Sequence, residues 1–303
     1  MSTSERAAAT YPEHLRARVE EYLSELRFAR EPAAAGLDES MRYSLLAGGK
    51  RIRPVLALAT ASAIGRDPEE VLPLAAALEL IHTYSLIHDD LPAMDDDALR
   101  RGRPTNHVRY GDDVAILAGD GLYAEAFRLV LHRQAGDPAA ILAALGELAD
   151  ATGVNGMVGG QYIDVKGLVD RGVTSLRHLH ELKTGRLIGA SVECVLLLSD
   201  DGVGGRAPIT LPAFRTFAAE LGLLFQIVDD ILDVTGTEDA LGKPQGSDER
   251  HGKLTYVSQY GLEGAREMAQ ASHRSARAAL REAAPDTSAE LAQITDFIAT
   301  RSS

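Results

Sequence analysis

At 303 residues, with 45% hydrophobic and 25% charged side chains, the chain has ample material for a folded core. Its net charge of −13 argues against a nucleic-acid partner or an anionic membrane surface, so a phosphate-bearing ligand must be met by metal ions and local basic clusters. A single cysteine, Cys194, excludes an internal disulfide, no run of about 18 apolar residues marks a membrane span, and MSTSERAAAT lacks a signal peptide's apolar core, so a cytoplasmic protein is expected.

With no tryptophan and 5% aromatics, the core must come mainly from Leu, Ala, Val and Ile. Residues 1–10 are small and polar, and disorder is expected there. After Pro12, apolar residues at Leu15, Val19, Tyr22, Leu23 and Leu26 follow the rhythm of an amphipathic helix. A second helix is expected from about Leu37 to Leu46, stopped by Gly48-Gly49, and a third from Pro54 to near Gly65. Asp67-Pro68-Glu69-Glu70 combines a cap, an N1 proline and acids at the positive dipole end. The helix it opens runs to Asp90, roughly 36 Å, and is apolar on most sides, which makes it central and buried. Further helices are expected at 112–134, 138–152, 156–166, 174–198, 207–235, 254–260, 261–283 and 287–301. The longest loops fall at 96–111, 199–206 and 236–253. Sustained alternation of apolar and polar residues is absent, which argues against strands. The fold class is therefore all-α, one domain over 1–303, with about ten or more helices.

Two acidic groups stand out. Asp89, Asp90, Asp95, Asp96 and Asp97 crowd the end of the central helix and run into Arg100, Arg101 and Arg103. Downstream, Asp229, Asp230 and Asp233 occupy the same position in FQIVDDILDV. Each group ends an apolar helix, which points to facing carboxylate walls, with two solvated acidic helix ends as the alternative. Hard divalent cations suit such walls, Mg²⁺ in particular when phosphates complete its shell. Asp229 and Asp233 are i and i+4 and share a helix face. Asp89 and Asp95 are six apart, on different faces of a straight helix, unless Pro92 breaks it and lets Asp95 swing back.

DDLPAMD followed by LRRGRPTNH, with DDILD later, resembles the head-to-tail trans-prenyltransferases, the farnesyl and geranylgeranyl diphosphate synthases. The resemblance runs from about Met41 to about Arg266, through several motifs in order. It implies joining of isopentenyl diphosphate to an allylic diphosphate such as dimethylallyl or geranyl diphosphate, through a metal-assisted allylic cation. Asp89, Asp90, Asp95, Asp229, Asp230 and Asp233 become the ligands of three Mg²⁺ ions, exchangeable for Mn²⁺. Asp96 and Asp97 are either outer-shell groups or, by preference, simply solvated. Arg100 is assigned to the allylic diphosphate. Lys50 and Arg53 of GGKRIRP, with His82 and Arg101, are assigned to isopentenyl diphosphate; without the resemblance GGKRIRP is a basic turn and His82 a core histidine. Lys183-Thr184-Gly185 resembles the family's helix break at the cavity, and Thr184 with the Gln226 amide offers oxygens to the cation. Lys243 and Lys253 look like late lysines that reach the diphosphate as segment 236–253 closes and excludes water. The released pyrophosphate serves as base. A homodimer is implied as well.

Two departures accompany the match. Val257-Ser258 stands where relatives often carry proline, which is expected to loosen one turn, and Arg186 stands where they usually have a small or apolar residue. A terpene cyclase is the first rival, but it has no use for GGKRIRP and a second aspartate-rich motif. A non-catalytic subunit of a heteromeric synthase would have lost acids, and both motifs are intact. Tyr84 and Ser85, five and four residues before Asp89, occupy the positions that govern product length in the family. An aromatic at the first implies a farnesyl product, with geranylgeranyl as the alternative.

Overall fold

A computed structural model describes residues 11–169, 174–199, 211–236 and 253–301. Its helices, in chain order, are α1 (Glu13–Glu25), α2 (Ala35–Leu45), α3 (Ile52–Ala63), α4 (Leu72–Asp89), α5 (Asn106–Tyr110), α6 (Asp112–Arg133) and α7 (Pro138–Thr152). They continue with α8 (Met157–Val165), α9 (Leu176–His180), α10 (Arg186–Leu198), α11 (Leu211–Thr235), α12 (Tyr256–Ala283) and α13 (Ala289–Thr300). The all-α reading holds, and the buried side chains form one hydrophobic core. The proposed disorder of residues 1–10 lies outside the described residues.

Helix α4 is the axis. Leu74, Leu78, Leu80 and Ile81 are fully buried, and the helix packs on α3 and α6. By length and composition Pro68–Asp89 could cross a membrane, against the expectation from the sequence; 67% of its apolar window is buried inside the protein, as in a core helix. The start is also tighter than expected. Asp67 caps as foreseen, accepting from the Glu69 N–H at 3.0 Å, but Pro68–Val71 forms a 3₁₀ turn before α4 begins at Leu72. Pro73 explains this, because a proline lacks the N–H that an unbroken α-helix would bond four residues back.

Two other boundaries are corrected and a third is borne out. The expected 174–198 helix is interrupted by a π-helical turn at Glu181–Gly185, between α9 and α10. Within the expected 96–111 loop, β1 (Leu99–Arg100) and β2 (Arg103–Pro104) pair antiparallel, so a minimal ladder exists after all. Its two-residue turn, Arg101 (φ 54°) and Gly102 (φ 71°), has both residues left-handed, as a tight hairpin requires. Residues 254–260 and 261–283 are one run broken by a kink at Gly261 (φ 73°), where the sequence reading placed the division. The Val257-Ser258 departure does not loosen its turn. Thr255 accepts from the Ser258 N–H, and Ser258 Oγ accepts from the Thr255 N–H, a reciprocal cap.

Candidate active site

The end of α4 supplies the first acidic wall. Pro92 breaks the helix as expected: the Asp95 N–H donates to the Asp89 carbonyl at 2.9 Å, and the Asp96 N–H to the Leu91 carbonyl at 3.1 Å. The chain thus folds back and brings Asp95 beside Asp89. The two acids of the pair have different environments. Asp90 is buried and gripped by Arg100, which donates Nε at 2.8 and 3.0 Å and Nη2 at 2.6 Å. Asp89 lines a cavity of about 480 Å³, and no described side chain donates to its carboxylate. Burial pushes that carboxyl up to about 6, with Lys183 drawing it down and Asp95 adding to the rise. Asp95 lines an adjoining hollow, where Lys253 donates to it at 2.8 Å. Asp97 lies 3.9 Å from Arg100, and Asp96 is exposed. Lys243 lies outside the described residues.

Helix α11 supplies the facing wall. Asp230 is buried and accepts from Gln226 Nε2 and from the Tyr256 N–H, both at 2.7 Å. Asp233 is buried one turn further on, whereas Asp229 is exposed and accepts from Arg301 Nη2 at 3.2 Å. Between the walls runs the π-helical turn. Lys183 Nζ donates to Asp164 on α8 at 2.5 Å, and Thr184 Oγ1 donates to Gln226 Oε1 at 3.1 Å. Gly160 makes this approach possible, since a Cβ there would lie 2.3 Å from the Lys183 backbone nitrogen.

The basic side of the cavity is built from GGKRIRP and the β1–β2 hairpin. Arg101, at the hairpin tip, donates to the Gly48 carbonyl, and its guanidinium fills the space a Cβ on Gly49 would need. Arg51 turns into the core, onto Glu79 at 2.5 Å and Glu20 at 2.8 Å. Arg53 and His82 instead line the cavity with Arg100 and Arg101. Arg53 Nε is buried without a hydrogen-bond partner, and burial lowers the guanidinium to about 10. Burial, then the neighbouring Arg53, holds the His82 imidazole well below its ordinary range, so it is neutral. Lys50 is not brought in. It is exposed, with Nζ 5.1 Å from the centre of the Phe297 ring.

Tyr84 lines the cavity one turn before Asp89, its ring edge-on to Tyr123 of α6 at 5.1 Å, and Tyr123 meets Phe127 at 5.2 Å. Ser85 also lines the cavity and donates to the His82 carbonyl at 2.9 Å.

Among the described residues no three His, Cys, Asp or Glu side chains converge on one point. The donor set is nevertheless all carboxylate oxygen, split across two walls, with no described side chain donating to Asp89 and cationic groups of Lys253 and Arg301 drawn onto Asp95 and Asp229. That chemistry fits a hard divalent cation whose shell a diphosphate completes.

The family profile described as polyprenyl synthetase matches residues 34–296. The chain belongs to that family. It is 44% identical over 299 residues to the farnesyl diphosphate synthase of Geobacillus stearothermophilus, covering 93% of this chain and 98% of that one. It is also 44% identical over 286 residues to a chloroplastic geranylgeranyl pyrophosphate synthase of Capsicum annuum, covering 93% and 76%. The Helicobacter pylori geranyltransferase solved with magnesium and isoprenyl diphosphate superposes with a TM-score of 0.83, at 32% identity over 98% of this chain and 99% of that one.

Within this polyprenyl synthetase site, sequence reasoning missed Asp164, Arg301 and His88. Asp164 carried a weak signal, standing three residues after Gln161, itself just past Gly159-Gly160 on the cavity side of α8. Arg301, at the end of α13, carried none. It reaches the second wall only because α13 packs on α11, and its guanidinium lies 4.4 Å from the centre of the Phe225 ring. His88 lines the cavity with Nε2 3.1 Å from the Ile116 carbonyl, its ring occupying the space over Gly119.

Proposed function

We propose that the chain condenses isopentenyl diphosphate with dimethylallyl or geranyl diphosphate and releases a short-chain prenyl diphosphate, farnesyl diphosphate foremost. One observation carries the reading: Asp89 and Asp229 open onto the same cavity as Arg53, His82, Arg100, Arg101 and Lys183, with an aromatic floor beneath. Asp89, Asp95 and Asp229, the less buried acids, and Asp90, Asp230 and Asp233, the buried ones, would together hold Mg²⁺, read as three ions with Mn²⁺ as a substitute. When bound, the metal neutralises charge on the leaving diphosphate. Arg100 and Lys183 add fixed positive charge on the allylic side, and Lys253, with Lys243, joins them as water is excluded. Arg53, Arg101 and neutral His82 hold isopentenyl diphosphate, with Lys50 at longer reach. The allylic C–O bond breaks with its electron pair leaving on pyrophosphate, and the alkene pair forms the new C–C bond. A proton is then lost to the pyrophosphate. Thr184 and Gln226 present oxygens toward the developing cation rather than an anion that would trap it.

Residues 1–303 work as one catalytic domain in this reading, and two copies pair. Leu117 and Leu131 on α6, Leu142 on α7 and Tyr162 on α8 are exposed large apolar side chains, which supports a homodimer over these helices. Turnover of labelled isopentenyl diphosphate with each allylic primer, with chain length read by chromatography, tests the whole proposal. A C15 product supports the farnesyl reading and a C20 product replaces it with geranylgeranyl. Absence of any condensation overturns the function.

A further inference from the structure

A second cavity, also about 480 Å³, lies on the other side of the Glu181–Gly185 turn, between α7, α9, α10 and α11. It contains none of the acids or lysines assigned to catalysis. Its volume is within the range of small-molecule sites, about 300–1,000 Å³. The lining is apolar at Gly189, Val192, Ala218 and Leu223 and charged around them.

The charged groups are unequally engaged. Arg215 is committed to Glu193, with Nη2 at 2.6 Å and Nε at 3.0 Å. Arg186 is only 3.7 Å from Glu147, and its Nε is buried with no hydrogen-bond partner. Arg177 makes no ion pair among the described residues. His180 is 8% exposed, and its Nδ1 also lacks a partner. The Arg186 N–H is a buried donor whose acceptor is missing, and the His180 ring nitrogen is a second buried polar atom left without a partner. Among the acids, Glu193 is spent on Arg215, burial pushes the Glu147 carboxyl up, and Glu181 is exposed at the rim. The free capacity is therefore for an anion beside an apolar floor.

The wall of this cavity is also the wall of the active site. His180 lines both, and its ring packs on Tyr256 at 5.3 Å, whose N–H holds Asp230. Gly185 lies against Gly222, where a Cβ would come within 3.1 Å of the Gly185 Cα. The adjoining Thr184 is bonded to Gln226, and Gln226 to Asp230.

We propose that this cavity is a second ligand site for an amphipathic anion, with a phosphate or carboxylate head at Arg186 and Arg177 and an apolar body over Gly189, Val192 and Leu223. Its occupancy sets the position of the turn that carries Lys183 and Thr184, and so the rate of the prenyl transfer proposed above.

Decyl phosphate, decanoate and decyltrimethylammonium serve as probes, titrated calorimetrically into the full chain. Nothing lies within 4 Å of a Cβ built at Gly189, so Gly189→Phe places a plug in open space. Gly189→Met is the smaller plug, used if circular dichroism shows that Phe costs helicity. The two anions are expected to bind the wild type, with the relative affinity of phosphate and carboxylate separating the two head chemistries. Gly189→Phe and Arg186→Gln are each expected to weaken that binding about ten-fold or more, and the ammonium probe is expected not to bind. In the wild type, saturating decyl phosphate is expected to change the transfer rate by about five-fold or more at saturating substrates, and the plugged variant is expected not to respond. Equal affinity in wild type and plug would place the probe in the diphosphate cavity and overturn the site, as would no binding or preference for the ammonium. Binding confined to this cavity with no change in rate would overturn the coupling. Because binding is read without turnover, failure of the site is distinguishable from failure of the catalytic reading.

Discussion

The two acidic walls begin with the same Asp-Asp pair and set it into the fold through different elements. At the first, the buried Asp90 is matched by a full charge, Arg100, on a hairpin whose strands are two residues each. At the second, the buried Asp230 accepts from the Gln226 amide and the Tyr256 backbone N–H, which tie α11 to α12. The outer acids differ as well. Asp89 lacks any described donor and is pushed up by burial, while Asp229 is exposed and already meets Arg301. The comparison teaches that one wall stores electrostatic strain for a cation to relieve, whereas the other is a rigid piece of the fold, knitting α11 to α12.

The largest effect should come from emptying either wall of its open carboxylate. Asp89→Ala and Asp229→Ala are each expected to lower prenyl transfer by about two to three orders of magnitude, comparable to removing a key electrostatic group from other active sites. Chelator should abolish the activity. Helicity by circular dichroism should be unchanged, and a variant that unfolds would show its acid to be structural. Full turnover in excess EDTA would remove the metal from the mechanism.

Stability should then separate the walls by sign. The Asp89 carboxyl titrates at about 6 in the fold against an ordinary 3.8, so the folded chain disfavours its ionised form. Whatever stability this group contributes is present below about pH 3.8 and lost as pH rises through about 6. At pH 7 its charge costs at most about 3 kcal/mol, less where solvent screens it. Asp89→Asn is therefore expected to raise the melting temperature in metal-free buffer at pH 7. Asp230→Ala is expected to lower it, with a loss of stability of about 1–3 kcal/mol, because two buried donors lose their acceptor. Equal shifts of the same sign would erase the contrast.

The basic residues should sort by whether they reach the cavity. Arg53→Ala is expected to raise KM for isopentenyl diphosphate by roughly ten-fold or more, the loss of one charged hydrogen bond. Arg100→Ala should act mainly on the allylic side, together with a loss of stability from the abandoned Asp90. Lys50→Ala should have the smallest effect of the three, since its ammonium lies over Phe297 outside the cavity lining. Equal changes in both KM values for all three would contradict two separate diphosphate sites.

Local signals carried most of this architecture. Asp67 and Asp137 cap helices, Pro92 breaks α4, and Gly261 divides α12, each a decision made within a few residues. What stayed hidden depends on partners far along the chain. Which of Lys50, Arg51 and Arg53 turns inward is decided by Glu20 and Glu79, which capture Arg51, and no spacing within GGKRIRP records that. The π-helical turn was masked because 174–198 has uniform helical periodicity; its site was marked only by the resemblance of Lys183-Thr184-Gly185. The β1–β2 ladder is too short to alternate. Arg301 reaches Asp229 across 72 residues, on the packing of α13 alone.

The last expected effect changes the product and leaves the rate nearly intact. A tail growing from the metals runs back along α4, where one turn rises about 5.4 Å, close to one extended isoprene unit. Tyr84 stands one turn back, but it is not the only barrier, because Tyr123 meets its edge and Phe127 meets Tyr123. Tyr84 alone is on the wall that carries the open acid Asp89; Tyr123 and Phe127 are on α6, which carries none. Tyr84→Ala is therefore expected to lengthen the product by one unit and stop at the Tyr123 ring, giving C20 in place of C15. Tyr84→Ala combined with Tyr123→Ala should extend it further. Neither change touches the acids, so the Mg²⁺ dependence should stay as in the wild type. A wild-type product already longer than C15 would sink the floor assignment. An unchanged product from the double variant would mean that the tail leaves the cavity by another route.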